Sequence, residues 1–246
     1  MIAERMTESL SSQVCSILNA LTPLNVDAVV NKITKLNMDE DVDKLQLLVD
    51  LVHDRAMLCP PECAQTTTTT TTTYGTLCRK LSKDLKECSS CNDHTTPGVT
   101  LNELLLKRCL CQFDQFIQGE VKSIMAERNT THTGWKTEQV DDNREMKHQG
   151  NIRFLGQLYK EKALPEPNIH TLIQNFLKVN TPLGCKYPDQ LQRHLECLCT
   201  FFMIVGKGVD HPKATRRIDQ YFQQIDKIVA KRRVSAEVKV LLVGSN

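Results

Sequence analysis

Cysteine is the first residue type here with chemistry to offer, since the chain holds eleven and several are closely spaced. Cys88-x-x-Cys91 is followed by His94, with Cys59 and Cys63 upstream, and thiolates with an imidazole suit tetrahedral zinc. These residues lie in stretches that read as loops, no second pair of zinc-ribbon spacing exists, and a threonine run separates the two halves. Free thiols that pack as small hydrophobes are therefore the better reading, and no metal is expected. Cys109-x-Cys111 and Cys197-x-Cys199 fall in helical stripes, where residues i and i+2 point to different faces. One cysteine of each pair is expected in the core. Gly206-Lys207 suggests a phosphate loop, but a Walker sequence needs Gly at Phe201 and Ser or Thr at Gly208. Nucleotide hydrolysis is excluded on that count. The seven histidines and 29 acidic residues form no G-x-S-x-G or H-E-x-x-H constellation. The chain reads as a non-enzyme with no cofactor and no small-molecule substrate.

Two other groups suit binding better than catalysis. Arg216, Arg217 and Lys227, followed by Lys231-Arg232-Arg233, make a basic end that suits phosphates, with a solvated helix face as the plain alternative. Leu18, Leu21, Pro23, Leu24 and Val26 make a helix corner unusually apolar for a turn, which is either core or a docking surface.

The elements that must position these groups are helical. Apolar spacing of i, i+3, i+4, i+7 runs through Val14, Ile17, Leu18 and Leu21, is broken at Pro23, and resumes at Val26, Val29, Val30 and Ile33. Further stripes begin at Leu45, Tyr74, Leu101, Met146, Ile169, Leu191, Ile218 and Val238. Thr100 with Glu103 predicts a capping box for the fifth helix, Gly206 ends the eighth, Asp210 caps the ninth and Ser235 starts the tenth. Ten amphipathic segments with short connections predict an all-α fold, an α-solenoid of about five antiparallel HEAT-type helix pairs. An irregular helical bundle is the alternative. Residues 1–246 read as a single domain with two interruptions. The eight threonines of Thr66–Thr73 disfavour helix and read as a mobile insertion, and the polar stretch 128–142, with Trp135 in it, reads as a long connection.

Composition agrees. The chain has 246 residues, 40% apolar and 24% charged, with a formal net charge of +2, which is ordinary for a globular chain with a substantial core. That balance hides a dipole: residues 1–58 hold five bases and nine acids, and residues 212–246 hold eight bases and three acids. The longest apolar run, Phe201–Val205, is far short of a membrane span, and the first residues lack the apolar segment of a secretory signal. A cytoplasmic protein is expected, with no membrane partner.

Several stretches carry a resemblance that spacing alone does not. Ser16–Pro23 (SILNALTP), Tyr74–Leu81 (YGTLCRKL), Leu104–Cys109 (LLLKRC), Gly150–Tyr159 (GNIRFLGQLY), Leu195–Cys199 (LECLC) with Gly206-Lys207 and Asp210, and Asp219–Phe222 (DQYF) occur in family order. From about residue 10 to residue 242 the chain resembles the middle domain of eukaryotic translation initiation factor 4 gamma. The resemblance implies a crescent of HEAT pairs without an active site, a scaffold module of translation initiation. Its partners would be the DEAD-box RNA helicase initiation factor 4A, whose lobes it orients, mRNA, and other initiation factors. The family's helicase-docking motif falls on Leu18, Leu21, Thr22-Pro23 and Val26, with Val26 in place of the usual phenylalanine. RNA binding would fall to the basic residues named above. The family's last helix normally continues where this chain reads Val243-Gly244-Ser245-Asn246, so a truncated final helix is expected. Two rival readings stand: a standalone regulator that sequesters the helicase, and an RNA-binding module acting through the basic end.

Overall fold

A computed structural model describes residues 2–57, 64–88, 98–127, 135–179 and 188–231. Over these residues the chain is helical: α1 (Ile2–Asn19), α2 (Val26–Thr34), α3 (Val42–Met57), α4 (Ala64–Asp84), α5 (Leu101–Glu127), α6 (Trp135–Lys160), α7 (Glu166–Val179), α8 (Pro188–Val209) and α9 (Thr215–Lys231). The only sheet-like pairing among the described residues is one antiparallel bridge between Cys88 and Val99. The all-α expectation holds. The tenth segment, from Ser235, lies outside the described residues.

The helices form two compact units, residues 1–163 and 164–246. In the first, sequence neighbours pack as pairs, and alternate helices stack: α3 lies on α1 and α5, and α4 lies on α2 and α6. Two layers of stacked helices are the construction of an α-solenoid. The apolar stripes supply its core, with Leu18, Ile33, Leu45, Leu48, Leu77, Leu105 and Phe154 all essentially inaccessible to solvent. In the second unit α7 packs on both α8 and α9, around Phe176, Phe201 and Leu198. Among the described residues no helix is long and apolar enough to cross a membrane.

Local signals explain most boundaries. The capping box at α5 forms as expected: the Thr100 amide donates to Glu103 Oε2 at 2.9 Å, and the Glu103 amide donates to Thr100 Oγ1 at 3.3 Å. The close of α6 uses Lys162, whose φ of 60° is left-handed; its amide and that of Ala163 bond back to Tyr159 and Leu158 at 2.8 Å.

Four expectations are corrected. The threonine run is not an insertion between elements but part of α4. The propensity penalty per threonine is only a few tenths of a kcal/mol, and burial of Thr71 and Thr73 with Tyr74, Leu77 and Leu81 on the same helix outweighs it. The polar stretch 128–142 is shorter as a connection, because Trp135 already opens α6 and residues 135–142 are helical. Gly206 does not end α8, which continues to Val209, and Asp210 does not cap α9, which starts at Thr215 after a turn. Asp210 instead closes α8, its amide donating to the Gly206 carbonyl at 2.8 Å.

Candidate functional site

The α1–α2 corner is built by one side chain. Asn25 precedes α2 but makes no side-chain cap to it. Its Oδ1 accepts from the Thr22 amide at 2.7 Å, and its Nδ2 donates to the Ala20 carbonyl at 2.7 Å. One amide thus spans the turn and satisfies both a donor and an acceptor left over where α1 stops. Backbone bonds from Leu21 to Leu18 and from Asn25 to Thr22 complete the corner. Two further links fix it to its neighbours: Arg55 on α3 donates to Asn19 Oδ1, and Lys80 on α4 pairs with Asp27 on α2.

The corner residues divide by depth. Leu18 and Val26 are 2% and 6% exposed and belong to the core. Leu21 is half-buried, and Thr22 and Pro23 are exposed. Leu24, which the docking pattern omits, is 98% exposed. The outward apolar surface is therefore Leu21, Pro23 and Leu24, with Leu18 and Val26 beneath it as support. Val26, where the resemblance implies a phenylalanine, therefore packs under the corner and not on its outer face.

Behind this corner, α3, α5 and α6 are tied by a buried polar chain. Asn151 Nδ2 donates to the Cys109 carbonyl at 2.9 Å, which turns its Oδ1 toward His53 Nε2 at 3.0 Å. That nitrogen must carry the proton, leaving His53 Nδ1 as a bare acceptor, buried without a hydrogen-bond partner and 3.5 Å from Asp54 Oδ1. Burial holds the His53 pKa below its ordinary 6.5, outweighing the Asn151 bond and Asp54, which raise it. Arg108 closes the outside of the same seam, with Nε 2.7 Å from Asp50 and Nη2 3.1 Å from Asp54. Gly150 lets α6 approach α3: a Cβ there would stand 3.1 Å from the Met57 carbonyl oxygen. The sequence GNIRF thus marks a packing seam.

The second unit presents the basic residues. Arg216, Arg217 and Lys227 are exposed on α9. Lys231 ends α9, while its side chain, with Arg232 and Arg233, lies outside the described residues. The first turn of α9 is held by a carboxylate shared between two imidazoles: Glu166 Oε1 lies 2.9 Å from His211 Nε2 and 3.1 Å from His170 Nε2. His170 Nδ1 in turn faces the Tyr221 hydroxyl at 3.3 Å, and Phe222 stacks on Phe202 with centroids 5.2 Å apart. Tyr221 and Phe222 of DQYF are therefore anchors that aim the helix.

The His211 bond, followed by the His170 bond, holds the Glu166 carboxyl below its ordinary 4.5. A lowered carboxylate adds stability that is complete above 4.5 and lost as pH falls through its folded value. Glu166→Gln is expected to lower the thermal midpoint modestly at neutral pH, because the group is about a third exposed, and the two curves are expected to converge in acid. Parallel curves across an acid titration followed by circular dichroism would rule this out.

The cysteines behave mainly as core. Cys109 is buried and Cys111 exposed, as the i, i+2 argument expects, but Cys197 and Cys199 are both buried. α8 is wrapped on more than one face, with Leu195, Leu198, Phe201 and Phe202 buried around that pair. Burial pushes the Cys78 and Cys109 thiols up, Cys109 to about 12, so neither is a nucleophile near neutral pH. Cys88 is buried in the bridge to Val99, while Cys59, Cys63, Cys91 and His94 lie outside the described residues. Among the described residues no three His, Cys, Asp or Glu side chains gather to hold a metal ion.

Two residues that build these sites escaped the sequence reading: Asn25 carried the signal of a turn-forming amide before a helix, and Glu166 had none beyond its place in a first turn. Leu24 was named in the apolar corner but left out of the docking pattern.

Comparison with known proteins agrees with this architecture. The family model described as the MIF4G domain matches residues 12–243. The chain is 30% identical over 247 residues to eukaryotic translation initiation factor 4 gamma 3 of Mus musculus, covering 96% of this chain and 14% of that protein. It is 29% identical over 240 residues to eukaryotic translation initiation factor 4G of Arabidopsis thaliana, covering 95% of this chain and 12% of that one. The chain thus spans about a seventh of the length of such relatives, 14% in the mouse case. In fold it is similar to the crystal structure of the MIF4G domain of Trypanosoma cruzi translation initiation factor EIF4G5, with a TM-score of 0.56 at 15% identity over 96% of this chain and 93% of that one.

Proposed function

Because the chain belongs to the MIF4G domain family, we propose that it is a non-catalytic scaffold module of translation initiation that binds the DEAD-box helicase initiation factor 4A. Docking uses the α1–α2 corner, and the module acts in the cytoplasm with mRNA as a second partner. The observation that carries the reading is the outward apolar triad of Leu21, Pro23 and Leu24, with Leu24 98% exposed on a corner clamped by Asn25. A rigid apolar protrusion needs little ordering on binding, so more of its buried area appears as affinity. The module raises the helicase's ATPase rate only so far as it binds the active arrangement of the two lobes better than the inactive one.

Titration of the purified chain into initiation factor 4A, read as both binding and ATP hydrolysis, tests this. Saturable binding with stimulation supports the scaffold. Binding without stimulation assigns the chain to the sequestering regulator, and no binding by a folded chain removes helicase docking. The RNA reading is favoured by the exposure of Arg216, Arg217 and Lys227 on one anchored helix.

A further inference from the structure

The corner that presents Leu21, Pro23 and Leu24 also presents one hydroxyl. Thr22 is exposed and lies in the stretch, residues 20–25, that separates α1 from α2. Asn25 holds both of its backbone groups: the Thr22 amide donates to Asn25 Oδ1 at 2.7 Å, and the Thr22 carbonyl accepts from the Asn25 amide at 3.2 Å. Among the described residues the Thr22 hydroxyl has no hydrogen-bond partner. Helical threonines differ, since the hydroxyls of Thr34, Thr171 and Thr215 each donate to a carbonyl of their own turn. Pro23 follows Thr22 and is exposed as well. The residue before a proline is held away from the helical backbone, so this hydroxyl stands free on non-helical chain. Two more Thr-Pro pairs, Thr96-Pro97 and Thr181-Pro182, lie outside the described residues.

We propose that Thr22 is a phosphorylation site for a proline-directed protein kinase, and that its phosphate closes the corner to the helicase. The proposal rests on the helicase-docking reading above and deepens it with a control of that same site. In the transfer, Thr22 Oγ1 attacks the γ-phosphorus of ATP and forms an Oγ1–P bond, while the bond from that phosphorus to the β–γ bridging oxygen breaks. ADP leaves with the electron pair, and the hydroxyl proton passes to the carboxylate base of the kinase. The product carries about −1.5 to −2 charges between Leu21 and Leu24. A partner that buries those side chains must then strip water from the phosphate, which opposes an apolar contact. Arg55 and Lys80, the cations tied to the corner, already face Asn19 and Asp27. The fold is left intact, because Thr22 is exposed and its backbone bonds to Asn25 remain.

The test treats the full chain with ATP and a proline-directed kinase, maps phosphate by mass spectrometry, and titrates initiation factor 4A before and after treatment. Phosphate is expected on Thr22, and treated wild type is expected to bind the helicase about tenfold or more weakly at an unchanged thermal midpoint. Thr22→Val, whatever its own affinity, should bind alike before and after treatment, which assigns the loss to Thr22 and not to Thr96 or Thr181. A chain with phosphothreonine installed at position 22 through a reassigned codon should show the same loss without a kinase, and saturating helicase should shield Thr22 from transfer. A kinase that leaves Thr22 bare, in the chain or in a free peptide of residues 16–29, overturns the site; modification of the peptide alone places the obstacle in the closed corner. Phosphate on Thr22 with helicase affinity unchanged overturns the control, and so does an equal loss in treated Thr22→Val. No helicase binding by untreated wild type removes the docking reading and this control with it, whereas the other failures leave docking standing.

Discussion

Leu24→Ala is expected to weaken the proposed helicase contact by about tenfold with no change in thermal midpoint, whereas Leu18→Ala is expected to lower stability by about 3 kcal/mol. The contrast follows from depth. Leu24 is 98% exposed and Leu18 is 2% exposed, six residues apart. Truncating an exposed leucine leaves the core untouched and removes only what a partner would bury, about 1.5 kcal/mol or more for a full side chain, which is roughly tenfold in affinity. Truncating Leu18 opens a cavity under the corner, so its effect on binding follows from its effect on folding. Asn25→Ala separates position from contact, because it leaves all three outward side chains in place and removes both bonds that span the turn. Binding should fall while the midpoint changes little, and Asn25→Asp, which keeps only the acceptor for Thr22, should fall between. Helicase binding unaffected by Leu24→Ala, with Leu18→Ala stable, would sink the assignment of depth and of contact alike.

The corner also shows how far residues alone carry the argument. The i, i+3, i+4, i+7 pattern placed Leu18 and Leu21 on one stripe, and Pro23 marked the break correctly. What periodicity does not encode is which side of a turn a residue leaves by. Leu24 follows a proline in a segment with no helical phase, so its exposure depends on the Asn25 clamp, a side-chain contact to the Thr22 and Ala20 backbone that no spacing rule predicts. The same holds for α9. Its basic residues were legible as a cluster, but Arg216 and Lys227 became one line, with the acids aside, only once Ile218, Tyr221 and Ile225 fixed the inner face.

Where local preference and tertiary packing disagreed, packing decided. Eight threonines argue against helix, yet Thr71 and Thr73 are buried on α4, which lies on α2 and α6. Residues 135–142 are polar yet open α6, which is anchored further on by Ile152, Phe154, Leu155 and Leu158. Once a helix is nucleated by an apolar stretch, extending it through polar residues fixes one residue per added bond, so its boundary moves beyond the hydrophobic pattern. The cysteine pair of α8 follows the same logic: a helix buried on more than one face does not distinguish i from i+2.

The seam behind the corner carries the largest loss expected from a polar substitution. Asn151→Ala should lower the stability of the first unit by about 3 kcal/mol, because it removes two buried hydrogen bonds and leaves the His53 Nε2 proton without an acceptor. Equilibrium denaturation followed by the single tryptophan, Trp135 on α6 of that unit, measures it, and a loss under about 1 kcal/mol would contradict the assignment. The same seam sets a pH dependence. His53 has a folded pKa held below 6.5 by burial, so above 6.5 the ring is neutral in both states and its contribution is complete. As pH falls below 6.5 the unfolded chain takes up a proton that the folded chain refuses, and stability declines, by at most about 1.4 kcal/mol per pH unit for one group. His53→Gln keeps a donor toward Asn151 without titrating, and its curve should stay flatter than wild type below 6.5. Glu166 acts only below 4.5, in the other unit, so the two windows separate. A wild-type curve that ran parallel to His53→Gln between them would mean that the ring is charged in the folded chain and paired with Asp54.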